Sequence, residues 1–128
     1  MQLVVMLAAA MGSISACSDG VCGDVSISQG IYGRVTYQSD VGNPPPVIVA
    51  NESIQVLDMG NDRHIVATAV SNANGTFQLD LASGTYVLCA SPGVPCVEPV
   101  VSDGLVRADL HKGFLSYWDL VGSDCSWW

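Results

Sequence analysis

The amino-acid sequence predicts an all-β protein, a seven- or eight-stranded antiparallel β-sandwich preceded by a signal peptide. Three observations lead to this fold class. Val, Ile, Thr, Ser and Gly are plentiful while Lys and Glu are scarce, which is the composition of a β-rich chain. Short apolar runs are separated by turn signals about every 8–12 residues. No stretch after residue 20 has the period of about 3.6 residues that an amphipathic helix requires.

The first half of the domain contains four predicted extended segments. Residues 29–38 are rich in β-branched and aromatic side chains, and residues 39–46 form a loop because they contain three prolines. Residues 59–62 are predicted to turn. The extended segments cover residues 29–38, 47–50, 52–58 and 63–71.

The second half continues the pattern of short strands. Residues 72–75 (Asn-Ala-Asn-Gly) are predicted to form a hairpin turn, because Asn-Gly readily adopts positive φ. In the strand that follows, Phe77, Leu79 and Leu81 share one face and are expected in the core. The predicted strands cover residues 76–81, 85–90, 96–101, 105–110 and 114–121.

The N-terminus has the features of a bacterial lipoprotein signal. Residues 3–11 are apolar and uncharged, which is too short for a membrane span of about 20 residues but suits a signal peptide. Residues 14–17, Ile-Ser-Ala-Cys, resemble the lipobox. The resemblance implies that residues 1–16 are removed, that Cys17 carries lipid, and that residues 17–28 form a lipidated tether. Two or three acyl chains give stable anchoring to a membrane.

An alternative is a plain secretory signal cut after Ala16, with Cys17 left as an ordinary thiol. The segment before the apolar run is only Met1-Gln2 and lacks Lys or Arg, which a start codon assigned too far downstream would explain. Ser18 is not Asp, and by the sorting rule of some Gram-negative bacteria this favours the outer membrane. The expected location is therefore the bacterial cell envelope.

The cysteine count agrees with export. If Cys17 is lipidated, an even number of cysteines remains, which in an exported chain indicates two disulfides with three possible connectivities. Cys89 and Cys96 flank a segment with two prolines and a glycine, so a bond across this turn is the natural pairing. Cys22 and Cys125 would then join the two ends of the domain.

Charge and motifs limit the function classes. The formal net charge of −8 argues against nucleic acid and against electrostatic docking on anionic lipid. No CxxC is present, and only His64 and His111 could supply imidazole, so neither a metal nor another cofactor is expected. The chain contains no Gly-x-Ser-x-Gly elbow, phosphate loop or HExxH helix. The sequence therefore predicts a protein that is not an enzyme.

The middle of the domain resembles the carboxypeptidase regulatory-like domain. Residues 69–77 (AVSNANGTF) and 81–88 (LASGTYVL) have the order and spacing of that family's T-x-T-D-x-x-G-x-F and L-P-x-G-x-Y-x-L segments. The resemblance covers about residues 30–90, about half of the chain, and the predicted sandwich domain comprises residues 29–128. The resemblance implies a transthyretin-like (prealbumin-like) sandwich of the carbohydrate-binding-like group. It also implies that Tyr86 bonds its hydroxyl to a nearby loop.

Aromatic residues are concentrated in the last part of the chain. One interpretation is a stacking platform for sugars. The other is that Phe114 and Trp118 close one end of the core while two C-terminal tryptophans pack against a Cys22–Cys125 bond. The candidate stacking residues are Tyr117, Trp118, Trp127 and Trp128.

These observations predict a lipid-anchored envelope protein with a binding or structural domain whose partner is an unknown envelope protein. An alternative is a carbohydrate-binding module for peptidoglycan or surface polysaccharide. A hydrolase of the transthyretin-like type is the third hypothesis. It is disfavoured because hydrolases of that type use several histidines, an arginine and a Tyr-Arg-Gly-Ser-like tail. This chain has two histidines and ends Ser123-Asp124-Cys125-Ser126-Trp127-Trp128.

Overall fold

A computed structural model describes residues 20–39, 45–60, 64–90, 95–113 and 116–121. This part of the chain forms two packed sheets and one short 3-10 turn at Val21–Asp24, with no α-helix among the described residues. The predicted all-β sandwich is confirmed, but the described residues form nine strands rather than seven or eight, because two segments of only two residues also pair into the sheets. The strands are β1 Gly30–Gln38, β2 Val47–Ile48, β3 Ser53–Asp58, β4 Ile65–Val70, β5 Thr76–Asp80, β6 Gly84–Cys89, β7 Val100–Val101, β8 Leu105–Gly113 and β9 Tyr117–Val121.

The first sheet, here called the β1 sheet, is built around β1. Strand β8 lies on one side of β1 and β9 lies beyond β8, while β5 and β2 pair with successive parts of the other side. The β1–β8 pairing is parallel, from Gly30 opposite Leu105 to Gln38 opposite Gly113. The prediction of a wholly antiparallel sandwich is therefore wrong for this pair. The long connection between β1 and β8 lets the chain return in the same direction, which a parallel pair requires.

The second sheet, here called the β3 sheet, has the strand order β4-β3-β6-β7 and is antiparallel throughout. The pairing of β3 with β4 shifts between Val56 and Leu57, because β4 has one extra residue, Val66, at that point. Such a bulge bends the strand locally and increases its twist.

The turn at residues 72–75 has the predicted local geometry but a different role. Gly75 has φ +76°, and the side-chain oxygen of Asn72 accepts hydrogen bonds from the backbone N–H of Asn74 and of Thr76, each at 2.9 Å. However, β4 belongs to the β3 sheet whereas β5 pairs with β1. The predicted hairpin is therefore wrong, since the turn carries the chain from one sheet to the other.

The core lies between the two sheets and follows the alternation of each strand. Phe77 and Leu79 of β5 are buried, as predicted, and Leu81 packs at the edge of the same cluster. Tyr86 donates a hydrogen bond from its hydroxyl to the carbonyl oxygen of Ala82 at 2.8 Å, as the family resemblance implied. The other buried members are Ile31, Val35, Ile54, Val56, Leu88, Val101, Ala108 and Leu110.

Residues 20–28 are part of the folded domain. Val21 and Cys22 are 0% and 1% exposed and pack against Tyr32 and Leu105 on the outer face of the β1 sheet. The sequence predicts a tether over residues 17–28. The structure corrects this from Val21 onward, because Val21 and Cys22 are buried on the sheet although their irregular segment has no periodic pattern that would indicate burial.

Polar contacts fix the same segment. Asp24 accepts hydrogen bonds from Asn74 Nδ2 at 3.0 Å and from Thr76 Oγ1 at 3.1 Å. The backbone N–H of Ser26 donates to Gln78 Oε1 at 2.8 Å. The segment is therefore joined both to the start of β5 and to its middle.

The Cys89–Cys96 disulfide is confirmed, with Cα atoms 4.5 Å apart. Next to it, Leu88 and Val97 exchange backbone hydrogen bonds of 2.7 and 3.0 Å. Cys22 is also disulfide-bonded, and its partner lies outside the described residues, as do Cys17 and Cys125. Among the helices that the structure describes, none is long and apolar enough to cross a membrane.

Candidate binding surface

The outer face of the β1 sheet carries a row of polar side chains from three neighbouring strands. Neighbouring residues of a strand point to opposite faces, so the polar residues that alternate with the buried ones face outward. Strand pairing then brings three of them into one row, with Thr36 opposite His111 and His111 opposite Tyr117. Asp119 lies opposite Asp109 in the adjacent row.

One half of this face is buried beneath residues 20–28 and is structural. Arg107 is 4% exposed, and its Nε donates to the two carboxylate oxygens of Asp109 at 2.9 and 3.1 Å. Asp109 Oδ1 also accepts from the backbone N–H of Arg34 at 3.0 Å. The guanidinium carbon of Arg107 lies 6.0 Å from the centre of the Tyr32 ring. A buried charge must be paired in this way, so these groups stabilise the fold.

The other half is accessible, and we name it the His111 patch, consisting of Thr36, His111, Tyr117 and Asp119. Thr36 Oγ1 lies 3.2 Å from His111 Nδ1, and His111 Nε2 lies 4.0 Å from Asp119 Oδ2. The rings of His111 and Tyr117 are 4.7 Å apart and tilted by 30°. The patch thus offers an aromatic surface, a hydroxyl and a carboxylate to a ligand.

The predicted stacking residues do not share one surface. Tyr117 is 48% exposed on the outer face, whereas Trp118 points inward and packs edge-to-face on Phe77 with ring centres 6.1 Å apart. For Trp118, the structure agrees with the interpretation that this residue closes one end of the core. Trp127 and Trp128 lie outside the described residues, as does Phe114.

The two histidines lie on different sheets. His64 precedes β4, and its backbone oxygen accepts a hydrogen bond from the N–H of Asp58, whereas His111 belongs to β8. Within the residues that the structure describes, no group of three or more His, Cys, Asp or Glu side chains is placed to hold a metal ion.

Thr36 and Asp119 are not predicted from the sequence as members of a site. A signal was present in β8, where Arg107, Asp109 and His111 alternate with apolar residues and so form a polar row on one face. The pairing that places Thr36 and Asp119 beside this row joins distant parts of the chain, and alternation within one strand does not indicate it.

No family model matches the chain, and no curated protein matches it. Among solved structures, the chain is similar to a crystal structure of (S)-allantoin synthase, with 13% identity and a TM-score of 0.44. The match covers 76% of this chain and 46% of that one, so this chain spans less than half of the longer protein.

Proposed function

We propose that the protein is a non-enzymatic lipoprotein of the bacterial cell envelope whose β-sandwich binds another envelope protein. The observation that supports this most is the burial of Val21 on the domain. Only Ser18, Asp19 and Gly20 separate it from Cys17. The four steps from Cys17 to Val21 reach about 14 Å when fully extended. Lipid on Cys17 would therefore hold the domain close to the membrane, with little freedom to turn away.

The position of the docked segment also supports an orientation. Val21 packs on Leu105 at the start of β8, whereas His111 lies six residues further along the same strand. At a rise of about 3.3 Å per residue, His111 lies roughly 20 Å along β8 from Leu105, on which Val21 packs. An anchored domain would then present the His111 patch on the side away from its lipid, where a partner can reach it.

The charged side chains support binding over catalysis. Arg107 is paired with Asp109, and Lys112 with Glu52, and each pair joins or stabilises strands. The exposed groups of the His111 patch are suited to recognition, since an aromatic ring and a few polar atoms are typical of interface contacts.

Crosslinking in intact cells that produce the lipidated protein tests this proposal. The Tyr117→Ala variant is expected to reduce the yield of the crosslinked partner at least tenfold. Tyr37→Ala is the matched control because Tyr37 is similarly exposed, at 44%, but points to the opposite face of its sheet. Equal loss in both variants, or no loss in Tyr117→Ala, would overturn the assignment of the His111 patch.

A second candidate function is carbohydrate binding. The Tyr117 ring packs against the His111 ring, whose two nitrogens lie near the Thr36 hydroxyl and the Asp119 carboxylate. Sugars are commonly held by ring stacking together with such acceptors. Calorimetric titration with soluble peptidoglycan fragments and common surface polysaccharides separates the two candidates. Binding that is abolished by Tyr117→Ala favours the carbohydrate function. If none of these saccharides gives a heat of binding, the carbohydrate function is excluded.

A further inference from the structure

Strand β4 is an outer strand of the β3 sheet with an unusual sequence for that position. It pairs with β3 on one side, and no described strand pairs with its other side. Its six residues include no charge, proline or glycine, and Ile65, Val66 and Val70 are about half exposed. Apart from the bulge at Val66, β4 thus lacks the features by which natural edge strands usually avoid offering unpaired backbone groups to another chain.

The sequence of β4 is self-complementary. Residues 66–70 read Val-Ala-Thr-Ala-Val, which is the same in both directions with Thr68 at the centre. A twofold axis beside Thr68 would pair two copies of β4 antiparallel. Thr68 would then lie opposite the partner's Thr68, and Val66 opposite the partner's Val70.

This register also preserves the two faces of the sheet. Ala67 and Ala69 pack against the core, while the valines and Thr68 face outward. Residues directly opposite each other in an antiparallel pair point to the same face. Each alanine therefore meets an alanine on the core side, whereas a shift by one residue would place valines there.

The backbone is oriented for this pairing. The N–H of Ser71 donates to the Glu52 oxygen at 3.0 Å, and the Ser71 oxygen accepts from the Asn51 N–H at 2.8 Å, so the backbone groups of Ser71 face β3. Because this direction alternates along a strand, those of Val70 and Thr68 face the open edge. The N–H and C=O of Thr68 can then exchange hydrogen bonds with the same groups of a second copy.

Charge favours a second copy at this edge over the others. Each chain has a formal net charge of −8, but β4 and the outward-facing Ser53 and Gln55 of β3 are uncharged. Two copies therefore meet where neither contributes repulsion. The other described edges are less suitable, since β9 contains Asp119, β5 ends in Asp80, and β2 and β7 have two residues each.

We propose that the protein forms a twofold homodimer by pairing of β4 with β4, which joins the two β3 sheets into one continuous sheet. The interface is isologous, as in most soluble dimers. It leaves the His111 patch accessible, because that patch lies on the other sheet of the sandwich.

Sedimentation equilibrium of the mature chain tests the dimer. Thr68→Lys places two like charges opposite each other at the twofold axis and is expected to weaken dimerisation at least tenfold. Thr85→Lys is the matched control, because Thr85 is an exposed residue of β6 in the same sheet. A wild-type protein that is monomeric at 100 µM (on the order of 10⁵-fold above a nanomolar Kd), or a Thr68→Lys dimer as tight as the control, would overturn the proposal.

A measurement on the wild-type protein covers the case in which Thr68→Lys fails to fold. Amide hydrogen exchange at Thr68 and Val70 should slow at least tenfold between low and high protein concentration. Exchange at the amides of β9 should stay the same. Exchange at Thr68 that does not depend on concentration would contradict the β4 interface.

Discussion

Lys112 at the end of β8 donates a hydrogen bond from Nζ to Oε1 of Glu52 across the sandwich, over 2.7 Å. Glu52 lies just before β3 and is 6% exposed, whereas the Lys112 side chain is 28% exposed. The pair joins the two sheets beside the core. Since a carboxylate in such a place needs a compensating partner, Lys112 stabilises Glu52 in its buried position.

Lys112→Met should destabilise the domain by about 2–3 kcal/mol. This is less than the cost of removing one partner from a fully buried ion pair, because water reaches Lys112. Urea denaturation followed by circular dichroism measures this. The double variant Lys112→Met/Glu52→Gln should recover part of the loss, since glutamine carries no charge. A loss below about 0.5 kcal/mol in the single variant would show that the contact contributes no more than an exposed pair.

Gly33 marks a close approach of β1 to β8. A Cβ atom at this position would lie 1.9 Å from the backbone oxygen of Ala108. Gly33→Ala is therefore expected to cost about 3 kcal/mol or more, because two strands would have to separate. Gly23→Ala is the control, since nothing lies within 4 Å of its added Cβ. Equal thermal stability of the two variants would contradict the β1–β8 pairing.

The Cys89–Cys96 bond closes a short loop next to β6. In the chain-entropy account, a loop of this length stabilises the folded state by about 2–3 kcal/mol. The double variant Cys89→Ala/Cys96→Ala should lose that amount in denaturant unfolding and keep its β-sheet circular dichroism spectrum. Loss of the spectrum would mean that the bond is needed to form the fold at all.

Docking of residues 20–28 is tested at Val21. Val21→Ala removes two buried methyl groups and should cost about 1–2 kcal/mol. Limited proteolysis should then cut within this segment faster than in the wild type, while Val25→Ala, at a partly buried position, should change the rate less. Cleavage of the wild-type segment at the rate of an unfolded peptide would contradict the docking.

The strands and the short disulfide could be predicted because their signals are local. Alternation placed Phe77 and Leu79 in the core, and the prolines between Cys89 and Cys96 indicated the turn that the disulfide spans. The turn at Asn72 and Gly75 was predicted correctly, but turn chemistry fixes only the local backbone. Whether the strands on either side pair or separate into two sheets depends on contacts with β1.

The His111 patch illustrates the same limit. Thr36 and His111 are 75 residues apart in sequence and meet only because β1 and β8 pair in parallel. The burial of Val21 and Cys22 was also missed, since a short irregular segment has no period that would indicate which face is buried. Lipid attachment at Cys17 and the partner of Cys22 lie beyond the described residues and remain predictions.

Mass spectrometry of the N-terminal peptide of the mature, unreduced protein tests lipid anchoring most directly. Cys22 is disulfide-bonded, and with Cys89 joined to Cys96 its partner is either Cys17 or Cys125. Lipid requires the Cys17 thiol. We therefore expect a chain that begins at Cys17 with diacylglycerol on its sulfur and a Cys22–Cys125 bond. An unmodified Cys17, or a bond between Cys17 and Cys22, would contradict the anchor.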